Sequence, residues 1–307
     1  MYGKSVKVSS CLYRTYRIVK ELSRNNSGAV YMAWHKRLRK HVVLKVIENY
    51  SAEAINIHCN EFEALKNIRN LYIPHVYEFA IENNYSFTVI EYIEGESFDK
   101  LLKNRYKYTE TQIIKWYVQL ASALSAIHKQ DICHRDIKPA NIILKVNGDI
   151  CLIDFNSAYV GSNNTGLISR SMGYASPEQY EYFKLCRKTI ENESKTLSEN
   201  AETDLLIHDC KTEVSSFGNA SAYNKASEIN WKLTDIYSLG ATMYHLLTGN
   251  YPPVRAEEIE RISRQQGYSK EILKIIEKSM KTNPSERYVS SEELGKILFS
   301  LKNMNTI

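Results

Sequence analysis

Residues 141–154 read NIILKVNGDICLID, an apolar stretch with a polar residue at each end and Asn147-Gly148 in its middle. Asn and Gly tolerate the positive φ angles of a two-residue type I′ turn, so the pair predicts a β-hairpin with its tip there. With that tip, Val146 faces Asp149, Leu144 faces Cys151, Ile142 faces Ile153 and Asn141 faces Asp154. Directly opposed residues share a face, with Cβ atoms about 5 Å apart. An amide oxygen and a carboxylate at that separation can ligate one hard cation, because Mg²⁺ takes oxygen ligands and few of them from protein. The plainer alternative is that Asn141 and Asp154 are only the polar ends of two strands.

The residues just upstream weigh against the plainer alternative. ICHRDIKPAN, residues 132–141, puts Asp136 five positions before Asn141, in a stretch that Pro139 keeps from continuing as helix. His134-Arg135-Asp136, four residues, Asn141, an Asn-Gly hairpin and then Asp154-Phe155 follow one another in fixed order and spacing. This arrangement resembles the protein kinase superfamily: the first part matches its catalytic loop, and Asp154-Phe155-Asn156 matches its metal-binding motif with one change.

The resemblance extends outward over roughly Tyr16 to Leu301 and implies roles at further positions. In VVLK, Lys45 stands where the family's third-strand lysine holds the α/β phosphates, and in NEFEAL, Glu61 stands where a helix glutamate pairs with that lysine. Glu63 is the neighbouring competitor, on another helical face. VIEYIEG is similar to the hinge between two lobes, with Ile90 gating the pocket and Glu91 to Ile93 offering backbone groups to adenine. SMGYASPEQ resembles the end of an activation segment, with Ser171 in the peptide-docking loop and Glu178 paired with Arg287 of NPSERY. Asp235 of DIYSLG is implied to brace the catalytic loop, a structural role like that of Arg287.

Two positions depart from the pattern. The family's glycine-rich loop appears as SRNNSGAV, which keeps Gly28 and Val30 for nucleotide binding but has Ser23 and Asn25 where glycines are usual. Side chains there crowd the phosphates, although Asn tolerates positive φ best after Gly and preserves the turn. Asn156 in place of glycine is tolerated for the same reason. Gly3-Lys4-Ser5 is no phosphate loop, because no strand or glycine precedes it at the required spacing.

Beyond the motifs, the chain has two textures. From about Tyr16 to Tyr92, YRIVKEL, AVYMAW, HVVLKVI and SFTVIEY are short β-like runs, interrupted by NEFEALKNIRNL with Phe62, Leu65, Ile68 and Leu71 at helical spacing. Past Gly95 the pattern is mostly helical: Thr109 and Gln112 form a capping box ahead of an apolar stripe from Ile113 to Ile127. Further helical runs are DIYSLGATMYHLLTG, KEILKIIEKSM and SEELGKILFSL. Between Glu181 and about Lys232 the sequence turns polar and poor in core-forming periodicity, which reads as a surface insertion, either mobile or a regulatory docking element. The expected fold is α+β and bilobal: residues 1–15 an extension, 16–93 a small antiparallel sheet lobe with one helix, and 94–303 a larger helical lobe carrying the insertion at about 181–232.

Composition sets outer limits. The 307 residues are 43% hydrophobic and 24% charged, an ordinary globular balance, and the 22 tyrosines form no repeat. A net charge of +5 suits phosphate-bearing ligands, yet no basic block with interleaved aromatics points to nucleic acid. The six cysteines lack CxxC spacing, which argues against zinc and for reduced thiols in the cytoplasm. Cys133 beside His134 suggests a thiol nucleophile only if a base and an oxyanion site accompany it. No apolar run is long enough to span a membrane, and the N-terminus lacks a signal-peptide core.

The resemblance implies phosphoryl transfer from ATP with Mg²⁺, or Mn²⁺ in its place. Asp154 and Asn141 are the implied metal ligands, Lys45 anchored by Glu61 holds the phosphates, and Asp136 takes the proton of the attacking hydroxyl. Lys138 neutralises the γ-phosphate and fits the serine/threonine branch, so protein Ser/Thr hydroxyls are the expected acceptors. Arg135 is expected to pair with a phosphorylated Thr165, Ser169 or Ser171, regulating the enzyme by autophosphorylation of its activation segment. The competing readings are a pseudokinase acting as a nucleotide-binding or scaffold module, and a small-molecule kinase; Lys138 and SMGYASPEQ disfavour the second.

Overall fold

The computed structural model describes residues 14–24, 28–48, 52–82, 85–161, 168–197, 212–215, 228–253 and 267–304. Strands β1 (Tyr16–Arg24), β2 (Gly28–His35), β3 (Lys40–Glu48), β4 (Val76–Glu82) and β5 (Tyr85–Glu91) form one antiparallel sheet in the order β1-β2-β3-β5-β4. Alternation sorts the two faces. Ala29, Tyr31 and Ala33 of β2 and Val42, Leu44 and Val46 of β3 are buried in one cluster with Phe87 and Val89. Lys45 lies between Leu44 and Val46, so it points off the opposite face, toward helix α1 (Ala52–Leu65).

A larger layer follows. It comprises β6 (Gly95–Ser97), α2 (Phe98–Lys103), α3 (Glu110–His128), β7 (Ile132–Cys133), β8 (Ile142–Lys145), β9 (Ile150–Leu152), β10 (Tyr159–Val160), β11 (Ile168–Ser171), α4 (Pro177–Leu197), β12 (Thr212–Ser215), α5 (Trp231–Thr248), α6 (Lys270–Ser279) and α7 (Ser291–Met304). The Thr109/Gln112 capping box is present at the start of α3, and Gly249 closes α5 in the left-handed conformation at φ 71°. Helix α5 is buried on nearly every face and packs against α3 and α6, so it forms the axis of this lobe. Its Gly240 is a close-approach residue: a Cβ there would lie 2.6 Å from Ser279 Cβ and 3.1 Å from Met280 Cγ. Gly240→Ala is therefore expected to destabilise the fold by about 1–3 kcal/mol through overpacking. Thermal unfolding checks it, and an unchanged melting temperature would show that α5 and α6 can part without cost.

Three expectations differ from the structure. The hairpin is shifted by one residue: Ile142 pairs with Leu152, Ile143 with Cys151 and Leu144 with Ile150. The Lys145 N–H donates to the Asp149 carbonyl at 2.8 Å and the Gly148 N–H to the Lys145 carbonyl at 2.9 Å, closing a three-residue loop. Only Gly148 has positive φ, 79°, so the turn is not type I′, and Asn141 comes opposite Ile153 rather than Asp154. Second, α1 ends at Leu65; Ile68 is buried beyond it, but Leu71 is 83% exposed and off the stripe. The Asn70 side chain instead accepts from the Tyr72 N–H at 2.9 Å, a local turn that competes with helix. Third, the polar stretch does not begin at Glu181. Helix α4 runs through it, and Tyr182, Phe183 and Cys186 are buried with Cys133 and Trp231.

Candidate active site

The loop between β7 and β8 is held in an unusual conformation. Arg135 has φ 62°, a left-handed value that costs free energy in a residue with a long side chain. Asp235, fully buried on α5, offsets that cost. Its carboxylate accepts the His134 N–H at 2.8 Å, the Arg135 N–H at 2.8 Å and His128 Nε2 at 2.9 Å. This is the bracing role expected of Asp235. His134 in turn bonds the Ile153 carbonyl at 3.1 Å and packs edge-on against Phe155, with centroids 4.6 Å apart, tying the loop to the end of the hairpin.

Asp136 projects from this loop into a group of donors. Ser171 Oγ donates to Asp136 Oδ1 at 2.6 Å, Lys138 Nζ lies 2.9 Å from Oδ2, and Asn141 Nδ2 donates to Oδ2 at 2.9 Å and to the Asp136 carbonyl at 2.8 Å. Lys138 also donates to Ser171 Oγ at 3.1 Å. Pro139–Asn141 is a single 3₁₀ turn, and it carries Asn141 back over Asp136.

A second group lies across the cleft. Lys45 Nζ donates to Glu61 Oε1 at 2.7 Å and to Asp154 Oδ1 at 3.2 Å. Glu61 Oε1 also accepts the Phe155 N–H at 3.2 Å, so one buried oxygen joins β3, α1 and the segment after the hairpin. Glu63 takes the competitor's part and pairs with Lys66 at 2.5 Å. Burial pulls the Lys45 ammonium down, but the charges of Glu61 and Asp154 outweigh it and hold Lys45 above its ordinary value. Burial likewise pushes the Asp154 carboxyl up, and Lys45, Lys138 and His134 outweigh it, leaving Asp154 below the usual carboxylate range. Asp154 itself has φ 68°, which Asp tolerates, and that turn sends its side chain toward Lys45.

The donor set fits a magnesium ion. Asp154 supplies a carboxylate that is 38% exposed on its side chain, and the Asn141 amide nitrogen is taken by Asp136, which turns the amide oxygen away from it. Both are hard oxygen donors of the kind Mg²⁺ selects. The residues expected to line the nucleotide are placed as follows. Val30 pairs with Lys45 across β2 and β3 and so shares its face, and Ile90 is buried opposite Val43. The Glu91 N–H donates to the His75 carbonyl at 2.8 Å, and Glu91 Oε2 accepts the His75 N–H at 3.0 Å, which leaves the Glu91 carbonyl, not its N–H, for a base. Ile93 follows, half-buried, before β6. At Gly28 a Cβ would meet the Val46 carbonyl oxygen at 2.3 Å, so the close approach of β3 alone requires glycine there. Asn25 lies outside the described residues.

Several features escaped the sequence reading. Asn156 does not use positive φ; its Nδ2 donates to Asp154 Oδ1 at 2.7 Å and holds the carboxylate's direction. Arg135 is 1% exposed, donates from Nε to the Ser157 carbonyl at 2.7 Å and lies 5.0 Å from the centroid of Trp231. Burial pulls its guanidinium down to about 10. Ser157 and Trp231 thus hold the Arg135 guanidinium in the unmodified chain, and its pairing with a phosphorylated segment residue is a proposal for the modified one. Of its named partners, Ser171 is bonded to Asp136, Thr165 lies outside the described residues, and the Ser169 side chain is not described. Burial also pushes the Cys133 thiol far above its ordinary value, which disfavours the thiolate that a nucleophile needs.

At the foot of the site Arg287 forms a two-pronged pair with Glu178, at 2.6 and 2.9 Å, and donates to the Lys281 and Leu233 carbonyls at 2.8 and 2.9 Å. The Arg287 side chain is fully buried. Arg287→Ala is expected to cost about 3–5 kcal/mol, because it removes the donor from Glu178 and from the Lys281, Leu233 and Thr282 carbonyls. Denaturant unfolding measures the loss, and Arg287→Lys should restore little of it, since an ammonium cannot span both carboxylate oxygens.

Comparison with known proteins agrees with this geometry. Residues 16–189, more than half of the chain, match the protein kinase domain family. A probable serine/threonine-protein kinase of Clostridium acetobutylicum is 26% identical over 96% of this chain. The serine/threonine-protein kinase PknD of Mycobacterium tuberculosis is 25% identical over 91% of it. The chain spans 41% and 38% of those two relatives' own lengths. A dual specificity protein kinase, zak2 of Dictyostelium discoideum, is 42% identical over 33% of this chain and 15% of its own. With the bilobal architecture, the braced loop bearing Asp136 and the Lys45–Glu61 pair already in view, the chain belongs to the protein kinase domain family.

Proposed function

We propose that this chain is a serine/threonine protein kinase that transfers the γ-phosphoryl group of ATP to Ser and Thr hydroxyls of proteins. The observation that carries the reading is the surroundings of Asp136: a carboxylate fixed by Asn141 and Ser171, with the Lys138 ammonium 2.9 Å away. Such a carboxylate orients an incoming hydroxyl and accepts its proton, while Lys138 supplies positive charge where the transferred group becomes more negative. Lys45, kept charged by Glu61, holds the α/β phosphates, and Val30, Ile90 and the backbone of Glu91 and Ile93 receive the adenine. Asp154 and Asn141 would hold Mg²⁺, which would supply positive charge to the phosphates. Phosphoryl transfer asks for positioning and charge, and these residues supply both. Two relatives that span most of this chain carry the name serine/threonine-protein kinase, which supports the same acceptor class. No helix among the described residues is long and apolar enough to cross a membrane.

The test is radiolabel transfer from Mg²⁺-ATP to peptides offering Ser, Thr or Tyr, and to amino-sugar and choline acceptors, with Asp154→Ala beside wild type. Label on Ser and Thr peptides that vanishes in the variant is the expected result. Label confined to the small acceptors, or none on any acceptor, would overturn the assignment.

A further inference from the structure

Strand β12 lies in the polar stretch between α4 and α5 and pairs antiparallel with β11, the strand that leads to Ser171. The register runs Ile168 with Ser215, Ser169 with Val214, Arg170 with Glu213 and Ser171 with Thr212. The Ser171 end of this ladder is the end at the active site, because Ser171 Oγ is 2.6 Å from Asp136 Oδ1. Directly paired residues of antiparallel strands have Cα atoms about 4.5–5.5 Å apart. The backbone of Thr212 thus stands one strand spacing from the residue that touches the proposed base. Ser215, the other hydroxyl residue of β12, is three positions further along, roughly 10 Å at about 3.3 Å per residue. Extended segments are commonly recognised by adding a strand to an edge, and here that edge is taken by a segment of the same chain. Ser171 is an unsuitable acceptor itself, since it is buried with its hydroxyl bonded to both Asp136 and Lys138.

We propose that β12 is an intramolecular substrate segment and that Thr212 is phosphorylated in cis, an inference that rests on the kinase reading above. The Thr212 hydroxyl oxygen bonds to the γ-phosphorus of ATP, and the bond from that phosphorus to the bridging oxygen breaks. ADP leaves with the electron pair, and the hydroxyl proton passes to Asp136. The insertion is then a modification site set in place by backbone pairing, whatever protein is the substrate in trans.

The experiment incubates the full chain with Mg²⁺-ATP over a wide range of protein concentrations, maps phosphosites by mass spectrometry against time, and follows an added Ser/Thr peptide in parallel. The expected result is phosphate on Thr212 with a half-time independent of protein concentration. That phosphosite is lost in Thr212→Val while the added peptide is still phosphorylated. Val214→Pro, which cannot keep the ladder, should also lose cis phosphorylation without slowing the peptide reaction. An unmodified Thr212 beside a phosphorylated peptide would overturn the inference alone, as would a half-time that shortens in proportion to concentration. If neither is phosphorylated, the kinase reading fails and takes the inference with it.

Discussion

Asp136→Asn is expected to lower kcat for peptide phosphorylation by about 10²–10⁴-fold, the range typical for loss of a positioned acid–base group, with little change in ATP binding. The substitution keeps the shape of the side chain and removes its basicity. It also replaces one acceptor oxygen with an NH₂ donor in a place where Ser171, Lys138 and Asn141 are all donors. Ser171 Oγ, Lys138 Nζ and Asn141 Nδ2 all reach the carboxylate within 2.6–2.9 Å. Either orientation of the new amide therefore sets donor against donor, at Oδ1 toward Ser171 or at Oδ2 toward Lys138 and Asn141. Ser171 can relieve its share by turning its hydroxyl and accepting, whereas the Lys138 ammonium cannot accept. The amide should settle with its oxygen toward Lys138, so folding changes little and the loss falls on the chemical step. Lys45, Glu61 and Asp154 are untouched, which is why ATP affinity should survive. Steady-state kinetics with a fluorescent-nucleotide binding titration separates the two, and a variant that keeps wild-type kcat would remove Asp136 from the proton's path.

The residues that make this site were legible where the signal is local and spaced. Asp136, Lys138, Asn141 and Asp154 fall within one stretch of chain, and their order and spacing carried the resemblance; the first three meet around Asp136, and Asp154 meets Lys45. Lys45 and Glu61 were found through the resemblance, at the lysine of VVLK and the helix glutamate of NEFEAL, and the structure pairs them. The hairpin register was not legible, since Asn-Gly fits both a two-residue turn and a three-residue loop ending in a left-handed glycine. The choice is made by Asn147, whose side chain accepts the Asp149 N–H at 3.0 Å and favours the longer loop. Contacts made across the fold left no trace in the local pattern. The burial of Arg135 beneath Trp231 and the bond from Ser171 to Asp136 depend on how α4, α5 and β11 return to the loop. Strand β4 and the first half of α1 were missed for a related reason: one has no buried residue, with Glu78 and Ile81 exposed and the rest half-buried, and the other shows no clean apolar stripe before Asn60.

Lys45→Met should abolish most activity, by about 10²–10³-fold, and should also destabilise the fold, and a second substitution separates the two effects. The activity loss follows from removing a fixed positive charge at the phosphates, a contribution of this size when one electrostatic donor is lost. The stability loss follows from burial. The Glu61 side chain is 1% exposed, and its partner lysine only 16%. Removing the lysine leaves a buried carboxylate with the Phe155 N–H as its remaining donor, which costs about 3–5 kcal/mol. The sign of the Lys45 shift fixes the pH range in which this matters. Its value is raised in the fold, so its stabilisation is fully present below the unfolded lysine value of about 10.4 and is lost only as pH climbs through the folded value. At neutral pH Lys45 is charged, while burial holds the Glu61 carboxyl above its ordinary value, so in Lys45→Met part of the cost is relieved when Glu61 takes up a proton. In Lys45→Met/Glu61→Leu the orphaned charge is gone, and apolar replacement of a buried pair is often neutral or stabilising. The double variant is thus expected to regain most of the melting temperature and none of the activity. If its activity returned with its stability, Lys45 would serve only to hold α1 against the sheet, and the phosphates would have to be held by another cation.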